Sequence, residues 1–471
     1  MGIFTRHGAT QTRLSRRYTG QGVGEKDLRT PQLTLMTVGG IIGSGLFLAA
    51  GEAIRMAGPA IIVGYLIGAT AMALEVTALA EMAAADPAKG SFLVYARRAL
   101  GPGFTFVGGW IFWFSSILNL AAEATAAGIF THLWLPHIPT WALSTTFALI
   151  IVGINFLTVK GFSEVESLMA LIKVVAIALF IALAALALFA GWPVRLGSGL
   201  ASWSVAGGFF PNGLRGVAAA MILVMFSMAG TGVLGLAAAS VRDPERRIGP
   251  AVHYSATLVY LLYIGSALAI TALIPWNKVP ATGLSPFLAA LHRFPWPILG
   301  QIFNVVILLA VLSAMNAGLF ATDRVLAGLA TAKDAPRWLK EKGDAPPRAA
   351  NAATGALLVA VTLLTYFLPK TAFLYLVTAT GFQALFIWVL IVLTQIYYRR
   401  HLEKEHPQRL RLKMPWHPYL SIFEIALLLA IIATAPLAPH QLPALGLGVA
   451  VTALFLAIYL LIRPRRRQQP A

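Results

Sequence analysis

The first long apolar segment of this chain contains the stretch Thr37-Val38-Gly39-Gly40-Ile41-Ile42-Gly43-Ser44-Gly45-Leu46-Phe47. Glycine is unfavourable in a helix interior, and four glycines fall here within seven residues. Inside a bilayer, an unwound backbone persists only where it is buried in protein or lines a cavity. The pattern therefore predicts a helix that is broken at Gly43-Ser44-Gly45. The second half of such a helix would begin with free N–H groups, which favour a small anion.

A second glycine-interrupted segment supports this interpretation. It reads Met225-Phe226-Ser227-Met228-Ala229-Gly230-Thr231-Gly232-Val233, five apolar spans after the first. The alternative is close helix packing through small residues, because Gly39 and Gly43 fit the small-xxx-small pattern. Matching interruptions in two halves of a chain instead indicate an inverted-repeat transporter with its site near the bilayer midplane.

The composition predicts an all-α integral membrane protein. Of 471 residues, 58% are hydrophobic and only 11% are charged, whereas soluble domains carry about 25% charged residues. Apolar runs long enough to cross a bilayer recur along the chain. They predict twelve transmembrane helices at residues 33–57, 60–85, 102–130, 140–159, 165–191, 212–238, 249–274, 298–328, 352–368, 371–396, 419–436 and 444–462.

The basic residues predict the orientation of these spans. Cytoplasmic segments of membrane proteins are enriched in Lys and Arg. With both termini in the cytoplasm, few of the 36 basic residues fall outside, namely Arg55, Arg195, Arg215, Lys278, Arg293 and Lys370. The net charge of +18 is then a consequence of topology, with some attraction to the lipid bilayer. We therefore expect a multi-pass protein of the cytoplasmic membrane with no nucleic-acid partner.

Other functional classes find little support in the sequence. The chain has no cysteine, and its histidines lack the spacing of metal ligands. No nucleophile, base and orienting group can be assembled from the motifs, so we expect neither an enzyme nor a cofactor.

The ordered motifs resemble the amino acid–polyamine–organocation superfamily. Within it, the chain is similar to bacterial permeases for aromatic amino acids, proline and gamma-aminobutyrate. The resemblance covers nearly the whole chain. It rests on Gly40-Ile41-Ile42-Gly43-Ser44-Gly45-Leu46-Phe47, Met56-Ala57-Gly58-Pro59, Ala80-Glu81-Met82, Gly90-Ser91-Phe92, Ala170-Leu171-Ile172-Lys173-Val174, Arg242-Asp243-Pro244-Glu245, Ser285-Pro286-Phe287 and Asn316-Ala317-Gly318.

The resemblance implies a LeuT-type fold with discontinuous helices 1 and 6. A cytoplasmic tail (1–32) would precede a five-helix repeat (33–191) and its inverted copy (212–396). Helices 11 and 12 (419–462) and a second cytoplasmic tail (463–471) would complete the chain.

The resemblance also implies a mode of amino acid binding. The substrate carboxylate would accept N–H groups of Gly43, Ser44 and Gly45. The ammonium would donate to carbonyls near Ile41 and Phe226. The remaining predicted binding residues flank these two breaks and are Ile42, Ser227, Met228, Ala229, Gly230 and Thr231.

Lys173 and Glu123 are the predicted proton-coupling residues. A charged side chain within a span needs a partner or a cavity, and burial of a lysine favours its neutral form, which makes proton exchange possible. The alternative for Lys173 is a side chain that extends to the cytoplasmic interface. In proton-coupled relatives, the lysine of the matching stretch takes the place of a sodium ion. Sodium-coupled relatives have two adjacent hydroxyl residues in span eight, whereas Ser313 stands alone between Leu312 and Ala314.

Other acidic residues lie in or near the spans. Glu123 could instead hydrogen-bond between helices, for example to Asn119. Ser163-Glu164-Val165-Glu166 fits a capping box, which predicts a role for Glu166 at a helix start. No acidic residue is expected at Glu75 from the resemblance, and we assign it no role.

The sequence departs from the family pattern beside the second break. Gly232 and Ser240 stand where two glutamates are usual, which argues against a cationic substrate. The sequence predicts a proton-coupled symporter that imports an amino acid, neutral in net charge, by alternating access. An amino acid exchanger, a sodium-coupled symporter and a non-transporting amino acid sensor remain as alternatives.

Overall fold

The computed structural model describes most of the chain. The described residues are 28–86, 92–156, 162–194, 203, 207–232, 234, 241, 243–281, 283–340, 347–368, 371–438 and 441–467, without the side chains of 162, 163 and 463–467. Every regular element in these ranges is a helix, which confirms the all-α prediction. Ser240, Arg242 and most of the predicted N-terminal tail lie outside the described residues.

The first half of the chain supplies the broken helix and the elements around it. A π-helical turn, Gly45–Ala49, follows the first helix, and another, Leu186–Ala190, extends the seventh. The α-helices are α1 (Thr30–Ile41), α2 (Ala50–Ala57), α3 (Ile61–Ala85), α4 (Leu93–Ala99), α5 (Pro102–His132), α6 (Thr140–Phe156) and α7 (Phe162–Ala185).

The second half contains a further set of long helices. Short 3-10 turns such as Trp276–Lys278 and Arg337–Leu339 connect several of them. The α-helices are α8 (Gly213–Ser227), α9 (Pro244–Leu273), α10 (Pro286–Leu291), α11 (Pro297–Thr331), α12 (Arg348–Leu364), α13 (Ala372–Glu405), α14 (Tyr419–Ile432) and α15 (Gln441–Arg467).

The lengths and apolar character of these helices suit a membrane. Among the described residues, nine helical stretches are long and apolar enough to span one, and α6 and α8 are shorter apolar helices. The longest stretch, Gly45–Ala85, is divided at Gly58, where φ is +65°. Most helices begin and end within a few residues of the predicted spans, and α13 extends further, to Glu405. The twelve-helix arrangement with its inverted repeat stays a prediction.

Other helices enclose both halves of the broken helix. Residues of α1 pack against α7, α9 and α11, and those of α2 pack against α8. Apolar side chains along the break are fully buried, among them Ile42, Phe47 and Ile54. By contrast, large apolar side chains such as Phe189 and Leu261 stay exposed on the outer surface. This distribution is expected where the surroundings are lipid, which is as apolar as these side chains.

A buried carboxylate ties α3 to α13 and to the segment before α14. Glu81 is 1% exposed. Its Oε2 accepts the backbone N–H of Met414 at 2.5 Å and Nη1 of Arg399 at 3.2 Å. Its Oε1 accepts Nε2 of Gln395 at 2.9 Å. Because a buried carboxylate needs such partners, these bonds fix the connection between the helices.

We predict that Glu81→Ala destabilises the protein, because it leaves the donors of Arg399 and Met414 without their acceptor. Loss of one partner from a buried charged pair costs about 3 kcal/mol. Thermal unfolding of the detergent-purified protein measures the effect. Glu403→Ala is the matched control, since Glu403 is a half-exposed partner of the same arginine. Equal melting temperatures for the two variants would contradict the assignment.

Candidate substrate-binding site

The first helix is broken where the glycine pattern predicts. α1 ends at Ile41, and Ile42 has an extended conformation with φ −78° and ψ 104°. Helical structure resumes with the π-helical turn from Gly45, and the Phe47 N–H donates to the Gly43 carbonyl at 3.3 Å. The break therefore brings together the carboxyl end of α1 and the amino end of the next helical segment.

The second break follows α8. This helix ends at Ser227, and Ala229 and Gly230 are not helical. Gly230 has φ +116°, a conformation that residues with a side chain rarely adopt. The interruption that the sequence predicts is therefore present, and its glycine is required by the backbone. Residues 235–240, which come shortly after it, lie outside the described residues.

The two breaks touch each other through their glycines. A Cβ atom added at Gly45 would overlap the Cα of Ser227, and one added at Gly230 would overlap the carbonyl oxygen of Gly40. Close packing through small residues was the alternative explanation for the glycine pattern. In the structure both explanations hold, because the helices are broken and the broken segments are also in close contact.

Glu123 of α5 satisfies the amino end of the first break. The backbone N–H of Ser44 donates to both carboxylate oxygens of Glu123, at 3.1 and 3.0 Å. Glu123 is 4% exposed, and Ser44 is fully buried. An anion at the start of a helix is stabilised by the free N–H groups and the helix dipole. The protein's own carboxylate thus lies where the sequence predicts the carboxylate of a substrate, and its partner is Ser44 rather than Asn119.

Lys173 of α7 satisfies the carboxyl end of the same break. Its Nζ donates to the carbonyl oxygens of Gly39 at 2.8 Å and of Ile42 at 3.2 Å. The side chain is 1% exposed, so the alternative in which it extends to the interface is wrong. A cation at the end of a helix interacts favourably with the unpaired carbonyls and the dipole. The amine therefore binds the unwound backbone directly.

Glu166 belongs to this buried cluster and is not a helix cap. Phe162 and Ser163 are already part of α7, so Ser163 cannot be the residue that precedes the helix. Glu166 is 2% exposed and accepts the Ser313 hydroxyl at 2.7 Å. It lies close enough to Lys173 to interact with it electrostatically. The capping-box prediction is therefore wrong, because tertiary contacts rather than the helix start determine where this carboxylate lies.

Tyr263 of α9 connects the two breaks and was not among the predicted site residues. Its hydroxyl lies 2.6 Å from the Ser227 carbonyl oxygen and 3.3 Å from the Ile41 carbonyl oxygen. These carbonyls belong to the last residues of α8 and α1. No sequence signal distinguishes this tyrosine from the others of the chain, since its role depends on the packing of α9 between the breaks.

A cavity lies between the breaks and α3, α5, α11 and α13. Its atom-free space, including the opening, is about 1010 Å³. Of the predicted site residues, it is lined by Ile41, Gly45, Glu123, Phe226, Ala229, Gly230 and Thr231. Its wall also contains residues that the sequence did not identify as binding residues, including Glu75, Ser115, Ser116, Asn119, Thr380 and Trp388.

The other predicted binding residues lie behind this wall. Met228 was expected to face the substrate, but it packs toward Gly68 of α3 instead. Gly43 and Ser44 would reach a ligand only through their backbone, as the resemblance implies. The residues behind the wall are all buried and are Ile42, Gly43, Ser44, Ser227 and Met228.

Nearly the whole chain matches one family of known proteins. The model of the amino acid permease family covers residues 32–469. The chain belongs to the amino acid permease family. This family is part of the amino acid–polyamine–organocation superfamily, so the resemblance drawn from the motifs is confirmed.

Individual permeases match over almost their full length. The chain is 36% identical to the uncharacterized amino acid permease YtnA of Bacillus subtilis, over 92% of this chain and 94% of that protein. It is 34% identical to the gamma-aminobutyric acid permease of the same organism, over 95% of each. It is 32% identical to the gamma-aminobutyric acid permease of Escherichia coli, over 93% of this chain and 94% of that protein. The chain is therefore a multi-pass membrane transporter of the permease type and not an enzyme.

We predict that Gly45→Ala disrupts the contact between the two breaks of this permease, because the added methyl group would overlap Ser227. Overpacking of a buried contact costs about 1–3 kcal/mol. Gly153→Ala is the matched control, since a Cβ at Gly153 meets no atom within 4 Å. The measurement is the melting temperature of each purified protein. A Gly45→Ala variant as stable as Gly153→Ala would show that the breaks are not in close contact.

Proposed function

We propose that this permease is a proton-coupled symporter that imports an amino acid by alternating access. The observation that carries the proposal is the position of the Lys173 amine, which is bonded to two carbonyls of the broken first helix. A protonatable group that directly holds the backbone of a moving segment can link the binding of a proton to the position of that segment. The predicted cytoplasmic location of both termini belongs to the same proposal.

The substrate carboxylate competes with Glu123 in this proposal. Ser44 offers its N–H to the Glu123 carboxylate in the structure, and two carboxylates repel each other in a buried site. A substrate carboxylate would therefore bind the amino end of the break when Glu123 takes up a proton or moves away. Uptake of a proton by Glu123 would then accompany uptake of the substrate.

The ammonium group of the substrate has acceptors at the other side of the breaks. Ile41 and Phe226 both line the cavity and lie at or near the ends of α1 and α8. The Ile41 carbonyl already accepts the Tyr263 hydroxyl, and the Phe226 carbonyl accepts the Ala229 N–H at 3.0 Å. Because a carbonyl oxygen has two lone pairs, the Ile41 carbonyl can accept a further bond from an ammonium group, and Phe226 lies beside it in the cavity wall.

Lys173 would act as the switch between states. When charged, the amine is held by the Gly39 and Ile42 carbonyls and by the negative charge of Glu166. When it loses its proton, the attraction to the carbonyl end of α1 becomes weaker, and the first half of the broken helix can move relative to α7. This change would open the site to the cytoplasm and release the substrate.

The local chemistry favours protons over sodium as the coupling ion. Sodium coupling needs a set of oxygen ligands without a competing cation, and the Lys173 amine lies in this region. The hydroxyl of Ser313 is bonded to Glu166. Exchange of one amino acid for another would use the same substrate site, and a sensor would bind without transport. Uptake driven by a pH gradient, by a sodium gradient or by counter-substrate distinguishes these mechanisms.

We propose a substrate of neutral net charge, with 4-aminobutyrate among the first compounds to test. Relatives named gamma-aminobutyric acid permeases cover almost the whole chain. A thermal-shift screen of the purified protein against the twenty amino acids and 4-aminobutyrate would identify the ligand, because a compound that binds only the folded state raises the melting temperature.

We predict that Lys173→Gln abolishes uptake driven by a pH gradient, because glutamine can hydrogen-bond to the carbonyls but cannot carry a proton. The measurement is uptake of the ligand found in the thermal-shift screen into proteoliposomes with an acidic exterior. Lys278→Gln, which changes an exposed lysine, is the control and should retain full uptake. Full uptake by Lys173→Gln, or wild-type uptake driven by a sodium gradient or by counter-substrate alone, would refute the proton-coupled mechanism.

A further prediction concerns the pH dependence of binding. If Glu123 must be neutral for the substrate carboxylate to bind, affinity in the wild type falls as the pH rises. Glu123→Gln is neutral at every pH and keeps one acceptor oxygen for Ser44, so its affinity should vary less with pH. Isothermal titration calorimetry at several pH values tests this expectation. An equally steep loss of affinity in wild type and Glu123→Gln would exclude Glu123 from the competition.

A further inference from the structure

We propose that Glu75 binds a positively charged group of the substrate that is remote from the substrate carboxylate. The chemical class is an ω-amino acid, in which the ammonium group is distant from the carboxylate. An ω-amino acid is also neutral in net charge. This inference rests on the proposed function in one respect, namely that the cavity binds an amino acid.

Glu75 is a fully buried carboxyl group with little hydrogen-bonding support. It is 0% exposed, and within the described part of the chain neither of its oxygens makes a hydrogen bond of normal geometry. The Thr231 side chain is the polar group that interacts with it. Buried polar groups in proteins are almost always satisfied, and a carboxyl group in the interior of a membrane protein is costly. A group in this condition is expected to receive a ligand.

Glu75 lines the cavity from α3. The backbone of the first break, which offers N–H groups to a carboxylate, lines the cavity on another side through Gly45. Thr231, from the second break, is the neighbouring polar side chain of Glu75. One molecule in the cavity can therefore contact the first break with its carboxylate and Glu75 with a distal group.

The charges around the cavity are unbalanced. Glu75 and Glu123 are the acidic residues of its wall, and no Lys, Arg or His is among the described lining residues. Glu123 accepts the backbone N–H of Ser44, whereas the neighbour of Glu75 is the Thr231 side chain. The cavity wall thus contains one carboxyl group without a compensating charge, and an ammonium group that packs against Glu75 is the complementary charge.

A second buried carboxyl group lies behind Glu75. Glu424 of α14 is also 0% exposed, its oxygens have no partner among the described residues, and it is near enough to Glu75 to interact electrostatically. Two carboxyl groups close together in an apolar region are not both ionised. Glu424 is not among the described residues that line the cavity, so Glu75 is the member of the pair that a cation in the cavity can contact and stabilise in its ionised form.

This arrangement changes the inference drawn from Gly232 and Ser240. Loss of the usual glutamates beside the second break argues against a substrate with a net positive charge. Glu75 supplies a carboxyl group to the same cavity from a different helix. An acidic side chain is therefore present in the cavity wall at Glu75 rather than beside the second break. Its position determines how far from the carboxylate the positive charge of the substrate must lie.

The test is a binding measurement on the purified full-length protein with matched pairs of ligands. Lysine and norleucine differ by the distal ammonium group, as do 4-aminobutyrate and butyrate. We expect the wild type to bind 4-aminobutyrate about tenfold more tightly than butyrate. A preference only for lysine over norleucine would indicate a net-cationic diamino acid and would overturn the assigned class. Glu75→Gln should weaken binding of 4-aminobutyrate about tenfold and leave binding of butyrate, which lacks the ammonium group, within about twofold; a factor of ten is about 1.4 kcal/mol.

Glu424→Gln is the matched control, because it changes the neighbouring carboxyl group outside the cavity and should preserve the preference. Three outcomes would overturn the inference: no preference in the wild type, an equal loss for both members of a pair in Glu75→Gln, or a change only in the pH dependence of binding. The second outcome would indicate that Glu75 only supports the structure of the site. The third would indicate that Glu75 binds a proton rather than the substrate. Binding is measured without a gradient, so this test remains valid even if transport is not coupled to protons. If neither 4-aminobutyrate nor any amino acid binds, the proposed function itself is refuted.

Discussion

The arrangement of the site depends on a break in one membrane helix whose two ends are satisfied by side chains of opposite charge. An unwound backbone in an apolar interior leaves N–H and C=O groups without partners, which costs several kcal/mol per group. Glu123 accepts the N–H at one end, and Lys173 donates to the carbonyls at the other. Removal of Glu123 would leave the Ser44 N–H without its acceptor, and removal of Lys173 would leave the Gly39 and Ile42 carbonyls without their donor. The break and the two charged residues therefore form one unit.

Glu123 and Lys173 therefore have two roles in this account. They stabilise the broken helix, and they are also the proposed proton-coupling residues. A substrate with a carboxylate and an ammonium group carries the same two charges as Glu123 and Lys173. In the proposed mechanism its carboxylate replaces the contact between Glu123 and the Ser44 N–H, and its ammonium group binds other carbonyls at the breaks. Substrate binding would then alter the protonation and position of Glu123, because the same N–H group cannot serve two carboxylates equally well.

The sequence predicted those features that depend on local chemistry. The glycines at Gly43, Gly45 and Gly230 predicted both breaks, and a lysine in the middle of an apolar span predicted a buried partner. Glu166 was misinterpreted because its spacing from Ser163 suits a capping box as well as a tertiary contact. Tyr263 was not identified, and Met228 was expected to face the substrate but packs toward Gly68. Both depend on how the helices pack, which the sequence pattern does not give. The sequence showed that Glu75 is an acidic residue inside an apolar span, but it did not indicate a role for it.

The most direct test of the account is an experimental structure of the permease with its amino acid bound. We expect the substrate carboxylate within hydrogen-bond distance of the Ser44 N–H, with the Glu123 carboxylate displaced from it, while the Lys173 amine remains on the carbonyls of Gly39 and Ile42. A bound amino acid that leaves the bond between Glu123 and Ser44 intact and places its carboxylate elsewhere would contradict the account.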